Sequence, residues 1–247
     1  MYINDTHIGF YLIAAILGLA VGQFVDWIKE RLLENKKVFS GDIIRRYKID
    51  FRPNYALMLI TSVIYVLLIY NFGIQDKVIG SLDLIKYLIL TPMLLAVFVI
   101  DYKSQIIPNR LNLTIFEIGL VIAFLFGISN IAITIDMLFG MIAGIAMFLL
   151  ITLIGGLIYG KESMGLGDTK FVGAIGIYFG LTKITAISII AFLIGAIVGA
   201  ILIIAKRKKA DEYIPFGPFI VIAAFICMLV PFETIMTALK LIFTFKI

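Results

Sequence analysis

A single cysteine, Cys227, and a single histidine, His7, stand in the whole 247-residue chain. That scarcity removes disulfide frameworks, thiolate metal clusters and multi-histidine metal sites together. Charge is scarce as well: 15% of residues are charged, against 62% hydrophobic. A soluble domain carries roughly a quarter charged residues, so this is the composition of an all-α polytopic membrane protein. No nucleophile-elbow serine, phosphate-binding glycine loop or zinc-protease motif is present. The net charge of +5 does not point to nucleic acid, because the basic residues lie in short loops between apolar runs.

What the chain has in abundance is apolar length. Residues 8–28, 55–72, 84–100, 111–127, 133–159, 184–205 and 215–230 read as membrane spans, the shortest just long enough for a hydrocarbon core of ~30 Å. Residues 169–180 are apolar but short, and are taken as a crossing that makes about eight in all. Residues 232–247 are expected to fold back along the interface. The first run lacks positive charges before it, so it reads as a retained anchor. Alternation places four loops on one side with sixteen of the 21 basic residues; Lys77, Lys86, Lys183, Lys240 and Lys246 fall on the other. The basic side is the cytoplasmic one. Residues 29–54 form its largest loop. Gly140 and Gly144, Gly176 and Gly180, and Gly195 and Gly199 are spaced four apart, which lets helices approach closely in lipid.

Two acids then stand out. Asp168 closes the glycine-rich turn 164–170, and Asp101 directly follows the run 84–100. The topology puts both on the cytoplasmic face. An acid at such depth is costly and by default functional. Asp168 has an alternative as N-cap of a helix beginning at Thr169. Asp101 has one as the partner of Lys103 or Arg110. Together on one face, each beside a glycine or proline break, they point to a paired-carboxylate hydrolase. Helix-end dipoles alone would put the negative charge on Asp168 and the shared proton on Asp101. Asp26 reads as interfacial, Asp136 as a first-turn acid, and Glu117 as a residue that snorkels or pairs with Arg110.

Asp101 with Ile107-Pro108-Asn109, then Gly165-Leu166-Gly167-Asp168-Thr169-Lys170, then Ile214-Pro215-Phe216-Gly217-Pro218-Phe219 resemble the type IV prepilin peptidase family, GxGD-type membrane aspartic proteases. The likeness covers roughly residues 84–230. Gly22-Gln23-Phe24 with Arg31 is similar to the motif that ends the family's first span, and Arg52-Pro53-Asn54-Tyr55-Ala56 resembles a later family segment loosely. The resemblance implies a membrane peptidase domain at 84–247 after an N-terminal region at 1–83. It implies Asp101 and Asp168 as the catalytic pair. Gly165, Gly167, Lys170, Pro108, Asn109, Pro215, Gly217 and Pro218 would support the site or bind substrate. The implied partners are prepilin-like proteins with a basic leader and an apolar N-terminal helix, cut after a glycine at the cytoplasmic face, together with membrane lipid.

No cofactor is implied for proteolysis. Many bacterial members also methylate the new N-terminus from S-adenosylmethionine, an activity associated with a first loop that often carries two Cys-x-x-Cys pairs. Residues 29–54 hold no cysteine, so no metal is expected there, and S-adenosylmethionine is implied only if methyl transfer occurs. Presenilin-like proteases share Gly-Leu-Gly-Asp but pair it with Tyr-Asp and Pro-Ala-Leu, both missing here. A transporter that binds ions on paired acids is the other alternative.

Overall fold

A computed structural model of the chain describes residues 2–4, 6–33, 53–74, 78–159, 165–206 and 214–244. Among them are eight helices and one two-residue antiparallel pair, β1 (Tyr2–Ile3) with β2 (Thr6–His7). Six of the helices are long and apolar enough to cross a membrane, and the protein is an all-α multi-pass membrane protein. The chain folds as two compact units, residues 1–100 and 101–247.

In the first unit, α1 (Ile8–Leu33) packs on α2 (Tyr55–Phe72). The fit is backbone against backbone: a Cβ on Gly22 would lie 2.6 Å from the Leu57 carbonyl oxygen, and one on Gly18 would collide with Ser62. The Ser62 hydroxyl donates to the Ala15 carbonyl at 3.0 Å. Asn54 caps α2 by accepting from the Leu57 N–H at 3.2 Å, donates its own N–H to Gln23 Oε1 at 3.0 Å, and reaches Asp26 through Nδ2. Asp26 also pairs with Lys29. Gln23 and Asn54, one from each of the two fainter motifs, therefore meet in one polar cluster with Asp26 and Lys29. The third helix, α3 (Val78–Ser104), carries Pro92 in its interior and receives the Tyr65 hydroxyl on the Leu88 carbonyl at 2.9 Å.

The second unit contains the last turn of α3, then α4 (Asn109–Ser129), α5 (Ile131–Tyr159), α6 (Leu166–Ile204), α7 (Gly217–Leu229) and α8 (Phe232–Thr244). Its most extensive packing is α5 on α6, and the glycine spacing explains it. A Cβ on Gly176 would meet Gly140 and Met141 backbone, and one on Gly140 would strike the Gly176 carbonyl and Gly180. A Cβ on Gly144 would lie 3.0 Å from Val172. The third spaced pair works differently: Gly195 makes room for the rings of Phe216 and Phe219 rather than for a neighbouring backbone.

The short sixth run finds its explanation in α6. This helix is two helical pieces joined at Gly180, whose φ of 72° and ψ of 176° break the helical path. The first piece begins at Leu166, earlier than the sequence indicated, and residues 171–180 are buried throughout. At the break, Asp136 Oδ1 accepts the Leu181 N–H at 3.3 Å, so Asp136 caps the second piece. A Cβ on Gly180 would collide with that carboxylate. Beyond α6, α7 has 13 residues, shorter than a full crossing. The 13-residue α8 buries Ile235 and Leu239 while leaving Leu241, Ile242 and Phe243 exposed.

Candidate active site

Asp101 sits in the last turn of α3, which continues to Ser104 rather than ending before the acid. The turn closes with Gln105 at a φ of 55°, its N–H on the Asp101 carbonyl at 2.9 Å. Pro108 then precedes α4 with extended backbone (φ −60°, ψ 130°), as the residue ahead of a helix does. Asp168 lies in the first turn of α6, its N–H on the Gly165 carbonyl at 3.1 Å. Gly165 is the N-cap residue, so the reading of Asp168 as the N-cap of this helix is corrected: the helix starts three residues before the acid's successor.

Both acids are buried, Asp101 2% exposed and Asp168 4%. The turn after Asp101 packs on the turn that carries Asp168: a Cβ on Gly167 would lie 3.8 Å from Ile107. Lys103 and Arg110, the expected partners of Asp101, have exposed side chains. The hydrogen bond that holds Asp101 comes instead from the Gly217 N–H, which donates to Oδ2 at 2.9 Å. This amide offsets the helix-end dipole at Asp101, so helix ends alone do not assign the shared proton.

Gly217 reaches Asp101 because of what surrounds it. Phe216 is packed among Phe148, Phe192 and Phe219, with ring centroids 4.9 to 6.0 Å apart. These contacts fix the chain just before α7, and Pro218 in the first helical turn costs no hydrogen bond. A Cβ on Gly217 would lie 2.6 Å from Asp101 Oδ2, so any larger residue there would displace the carboxylate.

Of the remaining candidates, Lys170 and Asn109 meet directly, the ammonium donating to Asn109 Oδ1 at 3.2 Å. Pro108 is half-buried where α4 begins, and Gly167 passes Ile107, the nearest atom to a Cβ there being 3.8 Å away. Pro215 is half-buried two residues before Gly217. Glu117 is on an exposed face of α4. Two residues escaped sequence reasoning. Asn112, buried on α4, donates through Nδ2 to the Gly167 carbonyl at 3.3 Å. Thr169, buried next to Asp168, has a hydroxyl with no partner among the described residues. Asn112 shares the run 111–127 with Thr114 and Glu117, so its polarity alone does not single it out. No group of metal-ligating side chains occurs among the described residues. The expectation of a metal-free first loop falls on residues 34–52, outside the described residues.

Fold and site together define a polytopic helical membrane protein with two aspartates buried at adjoining helix ends, one of them in a Gly-x-Gly-Asp turn. Residues 88–204, which include both acids, match the type IV leader peptidase family, and the chain belongs to that family. Curated relatives named prepilin leader peptidase/N-methyltransferase include one from Xanthomonas campestris pv. campestris, 30% identical over 199 residues, 78% of this chain and 66% of the relative. Those from Pseudomonas aeruginosa and Aeromonas hydrophila are 35% and 32% identical over 142 residues, 58% of this chain and 48% of each relative. The chain thus spans about half to two thirds of the length of these relatives. No solved structure matches.

Proposed function

We propose that this protein is a membrane aspartic endopeptidase that removes the basic leader of prepilin-like proteins, cutting after a glycine and before the apolar stem. The observation that carries the reading is the pair Asp101 and Asp168, both buried and both inside the segment that matches the leader peptidase family. The same match favours it over the presenilin-like and transporter readings.

Two carboxyls in one site cannot easily both ionise, so the pair retains one proton near neutral pH. The ionised carboxylate takes a proton from a water, whose oxygen adds to the scissile carbonyl carbon. The neutral carboxyl donates to the carbonyl oxygen as it becomes negative. The C–N bond then breaks, and the amine leaves with a proton supplied by the pair. Gly217 holds Asp101 at one oxygen, leaving the other for this work. The backbone at Gly167 accommodates an extended substrate, since among the described residues outside its own helix only Ile107 lies within 4 Å of a Cβ there. Both acids face the cytoplasm in this reading, with the basic loop 29–54 held to anionic lipid and the leader lying on the same surface. Residues 84–247 form the peptidase domain and 1–83 the N-terminal region.

Methyl transfer appears in the names of the relatives. The segment to which the family's methylation is assigned lies largely in residues 34–52, outside the described residues, and no step is built on it. Co-expression with a prepilin-like substrate, read by intact-mass spectrometry, tests the reading. Loss of the leader is expected; a substrate that keeps its full mass would refute it. The same spectrum reports any added methyl group.

A further inference from the structure

A cavity of about 370 Å³ lies beside the Gly-x-Gly-Asp turn, between α4, α5 and the first piece of α6. Phe116, Met141 and Ile145 give it apolar walls, and Asn109, Asn112 and Lys170 supply its polar groups. Asn109 and Lys170 are exposed and bonded to each other. Asn112 differs from both. It is 5% exposed, its Nδ2 is committed to the Gly167 carbonyl, and its Oδ1 is buried with no donor among the described residues. The amide orientation follows from that bond, because turning it over would set Oδ1 against the Gly167 carbonyl, acceptor against acceptor. A buried acceptor without a donor is destabilising and uncommon, and this one lies one residue's reach from the turn that carries Asp168.

We propose that this cavity is a substrate subsite: it takes one large apolar side chain of the peptide next to the scissile bond, while Asn112 Oδ1 accepts a backbone N–H from the same extended segment. The inference rests on the peptidase reading and adds the residue that sets the substrate's register. The chemistry selects a peptide over a lipid phosphate. A phosphate diester offers acceptors only; it would suit Lys170 and leave Asn112 Oδ1 unmet. Every peptide unit outside proline carries the N–H that the site lacks. Through Nδ2, the same side chain ties substrate register to the position of the Gly165–Asp168 turn.

The test pairs a change in the enzyme with a change in the substrate. The probe is a synthetic peptide with a basic leader, a glycine and an apolar stem, with one backbone amide at a time replaced by an ester across the cleavage point. Each ester removes an N–H and little else. In the wild-type enzyme one ester position is expected to lower kcat/KM by about tenfold, the size of one hydrogen bond in a dry site. In Asn112→Leu the all-amide peptide is expected to be slower by a similar factor, with no further penalty for that ester. A merely structural role for Asn112 would slow every peptide equally and leave the ester penalty intact, which would overturn the proposal. A cavity occupied by lipid predicts a flat ester scan in the wild type, which would overturn it as well, and this arm stands even if Asn112→Leu does not fold. Met141→Trp, which narrows the cavity, is expected to discriminate against a large apolar residue at the same substrate position; equal loss for small and large residues would count against the subsite. Wild-type enzyme that fails to cleave the all-amide peptide would sink the peptidase reading itself, a result distinct from cleavage without a sensitive ester.

Discussion

Gly217 and Gly167 show how two glycines of one site do different work. At Gly217 a Cβ would press on Asp101, 2.6 Å from Oδ2 and 3.0 Å from Cγ, so the carboxylate must move. Gly217→Ala is expected to lower cleavage about a hundredfold, as misplacing a reacting group by an ångström does. The accompanying overpacking costs ~1–3 kcal/mol, seen as a lower Tm. At Gly167 a Cβ meets, among the described residues, Ile107 at 3.8 Å, an ordinary contact. Gly167→Ala is therefore expected to keep its Tm and still lose activity about tenfold, because the added methyl stands where the substrate backbone passes. An unchanged rate would show that Gly167 serves the turn alone. At this scale the two aspartates were legible from cost: an acid beside an apolar run needs a reason. The glycine and proline neighbours were legible from motif. Asn112 and Thr169 were not, since a single amide or hydroxyl in a helix has no spacing to mark it, and only the tertiary fold places Asn112 on the Gly167 carbonyl.

The element that most departs from its sequence signature is α6. Twelve apolar residues before Leu181-Thr182-Lys183 read as a short separate crossing, whereas the chain continues through a break at Gly180 into the next piece, and the chemistry of that break was hidden. It depends on Asp136 from a neighbouring helix, which caps the second piece across 45 residues of sequence. Asp136→Ala is expected to remove about 1 kcal/mol, or roughly 2–4 °C of Tm, with little direct effect on the chemistry. Asp136→Asn, which keeps the acceptor, should recover most of the loss. Equal melting of all three proteins would show that the cap contributes nothing. The end of α3 departs from its apolar run by one turn, and Asp101 keeps its expected place at the helix C-terminus. Hydropathy ends at Ile100, whereas helical hydrogen bonding needs no apolar side chains and runs on to Ser104. That extra turn places Asp101 inside the helix.

For the whole molecule, the apolar runs were readable because lipid forces each span to be long, apolar and helical. Their orientation rests on the distribution of Lys and Arg, which predicts that residues 206–209 face the cytoplasm with Asp101 and Asp168. Cysteine at Lys208, in a Cys227→Ser background, is expected to resist a membrane-impermeant thiol reagent added to intact cells and to react once they are opened. Labelling from outside would reverse the topology and move both acids to the other face. The central claim, that two buried carboxyls share one hydrolytic task, meets its most direct test in Asp101→Asn and Asp168→Asn, each co-expressed with a prepilin-like substrate and read by mass. The account predicts that each variant inserts at wild-type level and leaves the substrate at full length, because an amide can neither take the proton from water nor hold the one the pair shares. Normal leader removal by either variant would contradict it.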